Sequence, residues 1–140
     1  MIRRLPITTL ACIAATSAYA DCELLSVSDA ELVLGPGVQD LSGDDAEFQC
    51  MFLGGSPQGT LIVQFADRGY YEVVSILQPH TPQSVGEEGR SNVDTNGVTA
   101  LQFVQGDKSV TMSVRPSSPT GTDYLDALVS VGARLAERLE

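Results

Sequence analysis

Between Cys22 and Glu140 the spacing of apolar residues changes period several times, and each change marks an element. Beyond Leu24 and Leu25, Ser28-Asp29-Ala30-Glu31 has the form of a capping box, in which a serine hydroxyl accepts from an early helical amide and a glutamate reaches back. It predicts a short helix to about Leu34, stopped by Gly35-Pro36-Gly37. From Glu47 the period becomes two. Phe48, Cys50 and Phe52 fall on one face of a strand and Gln49, Met51 and Leu53 on the other, until Gly54-Gly55-Ser56-Pro57 ends it. Thr60 to Ala66 and Tyr70 to Leu77 are rich in β-branched and aromatic residues, and Asp67-Arg68-Gly69 between them predicts a hairpin.

A second hairpin is predicted for Val98 to Gln105 and Lys108 to Arg115, with Gly106-Asp107 as a two-residue loop that has glycine at its first position. That register sets Gln105 against Lys108, Phe103 against Val110, Leu101 against Met112 and Thr99 against Val114. One face is then almost wholly apolar, while the other pairs Gln102 with Thr111 and Ala100 with Ser113. Past the connection Pro116-Ser117-Ser118-Pro119, an amphipathic helix is predicted from about Asp123 to Leu139, capped by Thr122. Its stripe of Leu125, Leu128, Val129, Gly132, Leu135, Ala136 and Leu139 is suited to cover the sheet. The expected fold is α+β: an antiparallel sheet of about five strands with a short N-terminal helix and a long C-terminal amphipathic helix. The stretch Pro79 to Asn96 is left as an irregular loop.

The first twenty residues carry Arg3 and Arg4, an apolar run from Leu10 to Ala15 and the small-residue pattern Ala18-Tyr19-Ala20. This is the pattern of a secretory signal peptide cleaved before Asp21, leaving a single exported domain, 21–140. A membrane anchor needs about 20 consecutive apolar residues, and Pro6, Thr8, Thr9, Thr16 and Ser17 interrupt this run. The basic pair is what the first region of any leader needs, so it carries little weight as a twin-arginine signal.

Export changes the meaning of composition. The whole chain has a net charge of −10, and without residues 1–20 six basic groups face eighteen acidic ones, so the charge becomes −12. Such a surface repels phosphate backbones and anionic lipid headgroups, which disfavours both as partners; no nucleic acid and, once the leader is gone, no membrane insertion is expected. Of three cysteines, Cys12 leaves with the leader, and Cys22 and Cys50 stay behind in a compartment that oxidises thiols. A disulfide between them would close a loop of 29 residues, worth about 3.6 kcal/mol by chain entropy.

Candidate chemistry is sparse. The acidic segment from Asp40 to Glu47 lacks the alternating ligands of a calcium loop, and no metal or cofactor is expected. No nucleophile elbow, zinc-binding His pair, phosphate-cradling loop or dinucleotide fingerprint is present. The loop from Pro79 to Asn96 holds the residues most able to contact a ligand: His80, Glu87, Glu88 and Arg90. His80 sits between two prolines and no sequence motif marks it for base catalysis, and adjacent Glu87 and Glu88 point apart in an extended segment.

Cys22-Glu23-Leu24-Leu25, Ala30-Glu31-Leu32, Leu34-Gly35, Cys50-Met51-Phe52, Val85-Gly86-Glu87-Glu88 and Gly106-Asp107 with Val110 and Val114 follow one another before the terminal helix. In this order they resemble small exported two-cysteine domains of unknown function common among bacterial lipoproteins, here without a lipid-attachment cysteine. The resemblance implies an antiparallel sheet flanked by helices and an N-terminal disulfide, and it implies no activity. The expected function is therefore a non-catalytic binding or interaction protein of the cell envelope, periplasmic or secreted. It would present a sheet edge or the 79–96 loop to an envelope protein or small ligand. The alternative is a small hydrolase or cation-dependent enzyme using that loop.

Overall fold

The computed structural model describes residues 22–43, 49–54, 59–74, 80–117 and 123–140. The leader, Phe48, Thr122 and half of the acidic segment lie outside these residues. In chain order the elements are α1 (Val27–Leu34), β1 (Val38–Asp40), β2 (Gln49–Gly54), β3 (Gly59–Asp67), α2 (Arg68–Val74), β4 (Thr81–Gln83), β5 (Glu88–Val93), β6 (Thr99–Gln105), β7 (Lys108–Pro116) and α3 (Leu125–Arg138). The strands form one sheet in the order β1-β2-β3-β7-β6-β5-β4, antiparallel throughout. The class is α+β as expected, with seven strands among the described residues where about five were predicted.

Alternation decides which side becomes the core. Cys50 and Phe52 of β2, Leu61 and Val63 of β3, Leu101 and Phe103 of β6, and Val110, Met112 and Val114 of β7 all point to one face and are fully buried. α1 covers this face with Ala30, Val33 and Leu34, and α3 covers it with Leu128, Val131, Leu135 and Ala136. Gly132 lets α3 lie close against β6: a Cβ there would come within 2.8 Å of Leu101 Cδ2. The β6–β7 register matches the predicted hairpin pair by pair, from Gln105 opposite Lys108 to Thr99 opposite Val114.

Three sequence expectations are corrected. The first concerns the segment after β3, which forms α2 instead of a returning strand. β3 already pairs with β2 along one edge and with β7 along the other, so no ladder is open to residues 70–74. The Arg68 amide donates to Asp107 O at 2.9 Å and turns the chain out of the sheet.

The second correction is that the stretch from Pro79 to Asn96 contains β4 and β5. They escape the alternation rule because the core-facing positions of β5 are Gly89 and Ser91. A Cβ on Gly89 would lie 2.9 Å from Val85 O, so the fold of Val85 over the strand excludes a larger residue. In the third, the capping box of α1 begins two residues earlier than predicted. Ser26 Oγ accepts from the Asp29 amide at 3.1 Å, and Asp29 Oδ2 accepts from the Ser26 amide at 3.0 Å. Glu31, expected to close that box, instead accepts from the Gly37 amide beyond the helix end.

Asp29 is buried, and it also joins the two helices of the core face. Arg138 of α3 donates to its Oδ2 at 2.7 Å and to Leu24 O, and Arg134 stands 3.6 Å from Oδ1. Beside this junction Cys22 and Cys50 form a disulfide with a Cα–Cα distance of 5.7 Å. Such a bond belongs to oxidising, extracytoplasmic surroundings. Among the described residues no helix is long and apolar enough to cross a membrane.

Two outcomes are expected. Reducing the disulfide lowers the unfolding free energy by about 3.6 kcal/mol, read as a fall in the denaturant midpoint. Burial pushes the Asp29 carboxyl up, but hydrogen bonds from Arg138 and Ser26 outweigh it and hold it below the ordinary aspartate value. A carboxyl lowered in the folded state gives its full stabilisation above the unfolded pKa of about 3.9 and loses it as the pH falls. Thermal melts of the wild type therefore decline below about pH 5. Asp29→Asn melts lower at neutral pH and declines less steeply in acid.

Candidate functional site

The second face of the sheet is only partly covered, because the chain leaving β3 must reach the far edge at β4. It crosses above β7 and β6 as α2, which packs against β3, β6 and β7. Under α2 lie Val104 and Ser109, both buried. Arg90 and Gln102 on the same face are buried too, and among the described residues the rest of that face is half-buried or exposed.

Across this face one register level carries polar side chains on five adjacent strands: Arg90, Gln102, Thr111, Gln64 and Gln49. Arg90 is 8% exposed. Its guanidinium lies 3.6 Å from the centre of the Tyr71 ring and donates to Tyr71 O. Arg90 Nε also donates to Gln102 Oε1 at 2.9 Å, with Nη2 on the same oxygen. Gln102 Nε2 donates in turn to Thr111 Oγ1 at 2.9 Å. On the neighbouring strands Gln64 Nε2 donates to Gln49 Oε1 at 3.3 Å.

The row has a direction. Arg90 has no acceptor, so its contact with Gln102 fixes the amide with Oε1 toward the guanidinium and Nε2 toward Thr111. Once its oxygen accepts from Gln102, the Thr111 hydroxyl has its own hydrogen left to donate. A donor that accepts from a charge-assisted chain is a stronger donor than an isolated hydroxyl. Gln64, directly opposite Thr111, has its Nε2 engaged by Gln49, which leaves Oε1 as an acceptor.

Gln64 and Thr111 line a depression of about 170 Å³ together with Phe65, Ala66 and Tyr70. Tyr70, the second residue of α2 to carry a large side chain, is 45% exposed. One rung further along the sheet, Leu41, Met51 and Ile62 extend this face as an apolar strip with Leu53 beside it. Leu41 and Leu53 are exposed.

The four residues singled out from the 79–96 segment are placed apart. His80 is exposed and precedes β4, level with Asn92, whereas Glu88 begins β5 opposite Ser84. Four residues of strand separate those levels, about 13 Å. Glu87 closes the β6–β7 turn: its Oε2 accepts from the Gly106 amide at 2.9 Å and its Oε1 from Arg68 at 2.8 Å. Arg68 also donates to Gly106 O at 2.7 Å, so the start of α2 and the hairpin tip are tied together. The Gly106 and Arg68 hydrogen bonds hold the Glu87 carboxyl below the ordinary glutamate range. Glu88 accepts from the Tyr71 hydroxyl, and burial pushes that phenol up. Of the four, only Arg90 belongs to the polar row. Among the described residues no group of three or more His, Cys, Asp or Glu side chains could hold a metal ion.

The sheet edges offer little backbone for strand addition. Both outer strands are three residues long; β4 contains Pro82, and β1 ends in Asp40, whose carboxylate accepts from the Ser42 amide. Sequence reading missed Gln49, Gln64 and Tyr70 as site residues. The signal was available in the Gln102–Thr111 pair, which becomes a row once β3 is set beside β7.

Arg90→Ala strips partners from Gln102 Oε1 and Tyr71 O and removes the ring contact. An unfolding free energy lower by about 3 kcal/mol is expected in urea titration. Glu87→Gln weakens the tie between α2 and the hairpin, and the loss disappears at acid pH, where Glu87 itself is protonated. Comparison with known protein families, with curated proteins and with solved structures returned no match.

Proposed function

We propose that the chain is a non-catalytic binding domain of the cell exterior, periplasmic or secreted after loss of residues 1–20. Its binding surface is the open half of the second sheet face. The observation that carries this reading is the depression beside Tyr70, where a row of mutually held polar side chains ends next to an exposed ring. Sites of this kind join an aromatic or apolar wall to a few positioned polar groups.

Four ionisable residues nearby are already engaged within the fold, which favours binding over catalysis. Glu87 and Arg68 fasten the hairpin tip, and Arg90 and Glu88 hold Tyr71 from two sides. The leader pattern and the disulfide support export. The likeness to small exported two-cysteine domains points the same way.

Mass spectrometry of the protein recovered from its own host is expected to find Asp21 as the first residue and both remaining thiols blocked. Hydroxyl-radical footprinting with and without the soluble envelope fraction is expected to protect Met51, Leu53 and Tyr70. Leu32 and Val93, exposed elsewhere, should be unchanged. Equal labelling of all five in both samples removes the reading.

A further inference from the structure

The depression also specifies a ligand chemistry, an inference that rests on the binding role proposed above. Its lining is Gln64, Phe65, Ala66, Tyr70 and Thr111, so no charged side chain among the described residues faces an occupant. A charged ligand would leave water there without a counter-charge, so the occupant is neutral. The volume of about 170 Å³ equals roughly five or six water molecules at ~30 Å³ each. That is room for one small ring.

The polar groups narrow the class further. Thr111 offers a donor strengthened by the chain from Arg90 through Gln102. Gln64 offers an acceptor carbonyl on the adjacent strand, fixed by Gln49. Side chains directly opposite on neighbouring antiparallel strands have Cβ atoms about 5 Å apart. A donor and an acceptor at that spacing match two neighbouring hydroxyl groups, one accepting and one donating. Beside them in the lining stands Tyr70, 45% exposed, and the negative quadrupole on the face of such a ring attracts the weakly positive C–H bonds of an aliphatic ring.

We propose that this depression binds one pyranose unit of a neutral saccharide, with its C–H face on Tyr70 and two adjacent hydroxyls on Thr111 and Gln64. Gln102 and Arg90 act as positioning residues: they never touch the sugar but aim the Thr111 hydroxyl. The open strip of Met51 and Ile62 leaves space for the next units of a chain. A single ring on an open site binds weakly, with Kd of about 1 mM or above.

The test is NMR titration of the intact exported domain with methyl β-glucoside and the β-1,4 trimer of N-acetylglucosamine. Glucuronate and trilysine serve as charged controls. Saturable shifts are expected at the side-chain amides of Gln64 and Gln49 and the backbone amides of Tyr70 and Thr111, for a neutral sugar and for neither control. Tyr70→Phe retains binding and Tyr70→Ala abolishes it. Thr111→Val weakens binding about tenfold, the scale of one hydrogen bond, while Thr111→Ser restores it. Tyr70 is exposed, so its variants fold and keep the test open. Absence of shifts at these residues with either neutral sugar overturns the proposal, as does binding indifferent to Tyr70→Ala or stronger binding of trilysine. If footprinting with the envelope fraction still protects Tyr70 in that event, the saccharide assignment falls and the binding role stands; if it does not, both fall.

Discussion

β3 has a hydrogen-bonded neighbour on each side, and the layout of the molecule follows from that. With β2 and β7 occupying both edges of β3, the chain that continues from Asp67 has no ladder to join and must travel over the sheet to its far border. Covering part of the second face is the consequence. Where α2 lies, Val104 and Ser109 are sealed and Arg90 is brought under the Tyr71 ring. Where α2 does not reach, the same strands remain in contact with solvent. A single topological constraint thus creates both the buried anchor of the polar row and the open depression at its other end.

The opposite face answers to a different need. Its central strands β2, β3, β6 and β7 present a largely apolar surface, and α1 and α3 together supply the cover. Neither helix is held by packing alone. Asp29, at the third position of α1, accepts from its own cap and from Arg138 at the end of α3, so one carboxylate orders the start of one helix and the end of another. The disulfide anchors the opening turn to β2 next to that junction. A buried carboxylate with this many donors keeps its charge because the donors stabilise the ionised form more than burial penalises it.

What could be read in the sequence was local. The β6–β7 hairpin was legible because turn chemistry and side-chain alternation specify the same register, and α3 was legible from its apolar stripe. β5 was hidden because the positions it turns to the core are Gly89 and Ser91, chosen for close approach and not for hydrophobicity. The Tyr70 to Val74 segment looks like a strand by composition and becomes helical because the sheet has no place for it; tertiary pairing overrides propensity there. The candidate site was legible only in fragments. Arg90 stood out as a charge in a long loop, and Gln102 and Thr111 as a cross-strand pair, but their union depends on strand order, which no local pattern encodes.

The ladder between β3 and β7 joins residues from Gly59–Pro116 to Asp67–Lys108, partners separated by 41 to 57 positions along the chain. It is the seam between two meanders, β1–β3 and β4–β7. Pairing at such sequence distance carries a high entropic cost before any reward, which slows folding relative to a sheet of successive hairpins. The first meander must wait, with one side of β3 unzipped, until the seventh strand has emerged. Cys50 sits on β2, beside β3, so the core that encloses its sulfur is complete only when that seam closes.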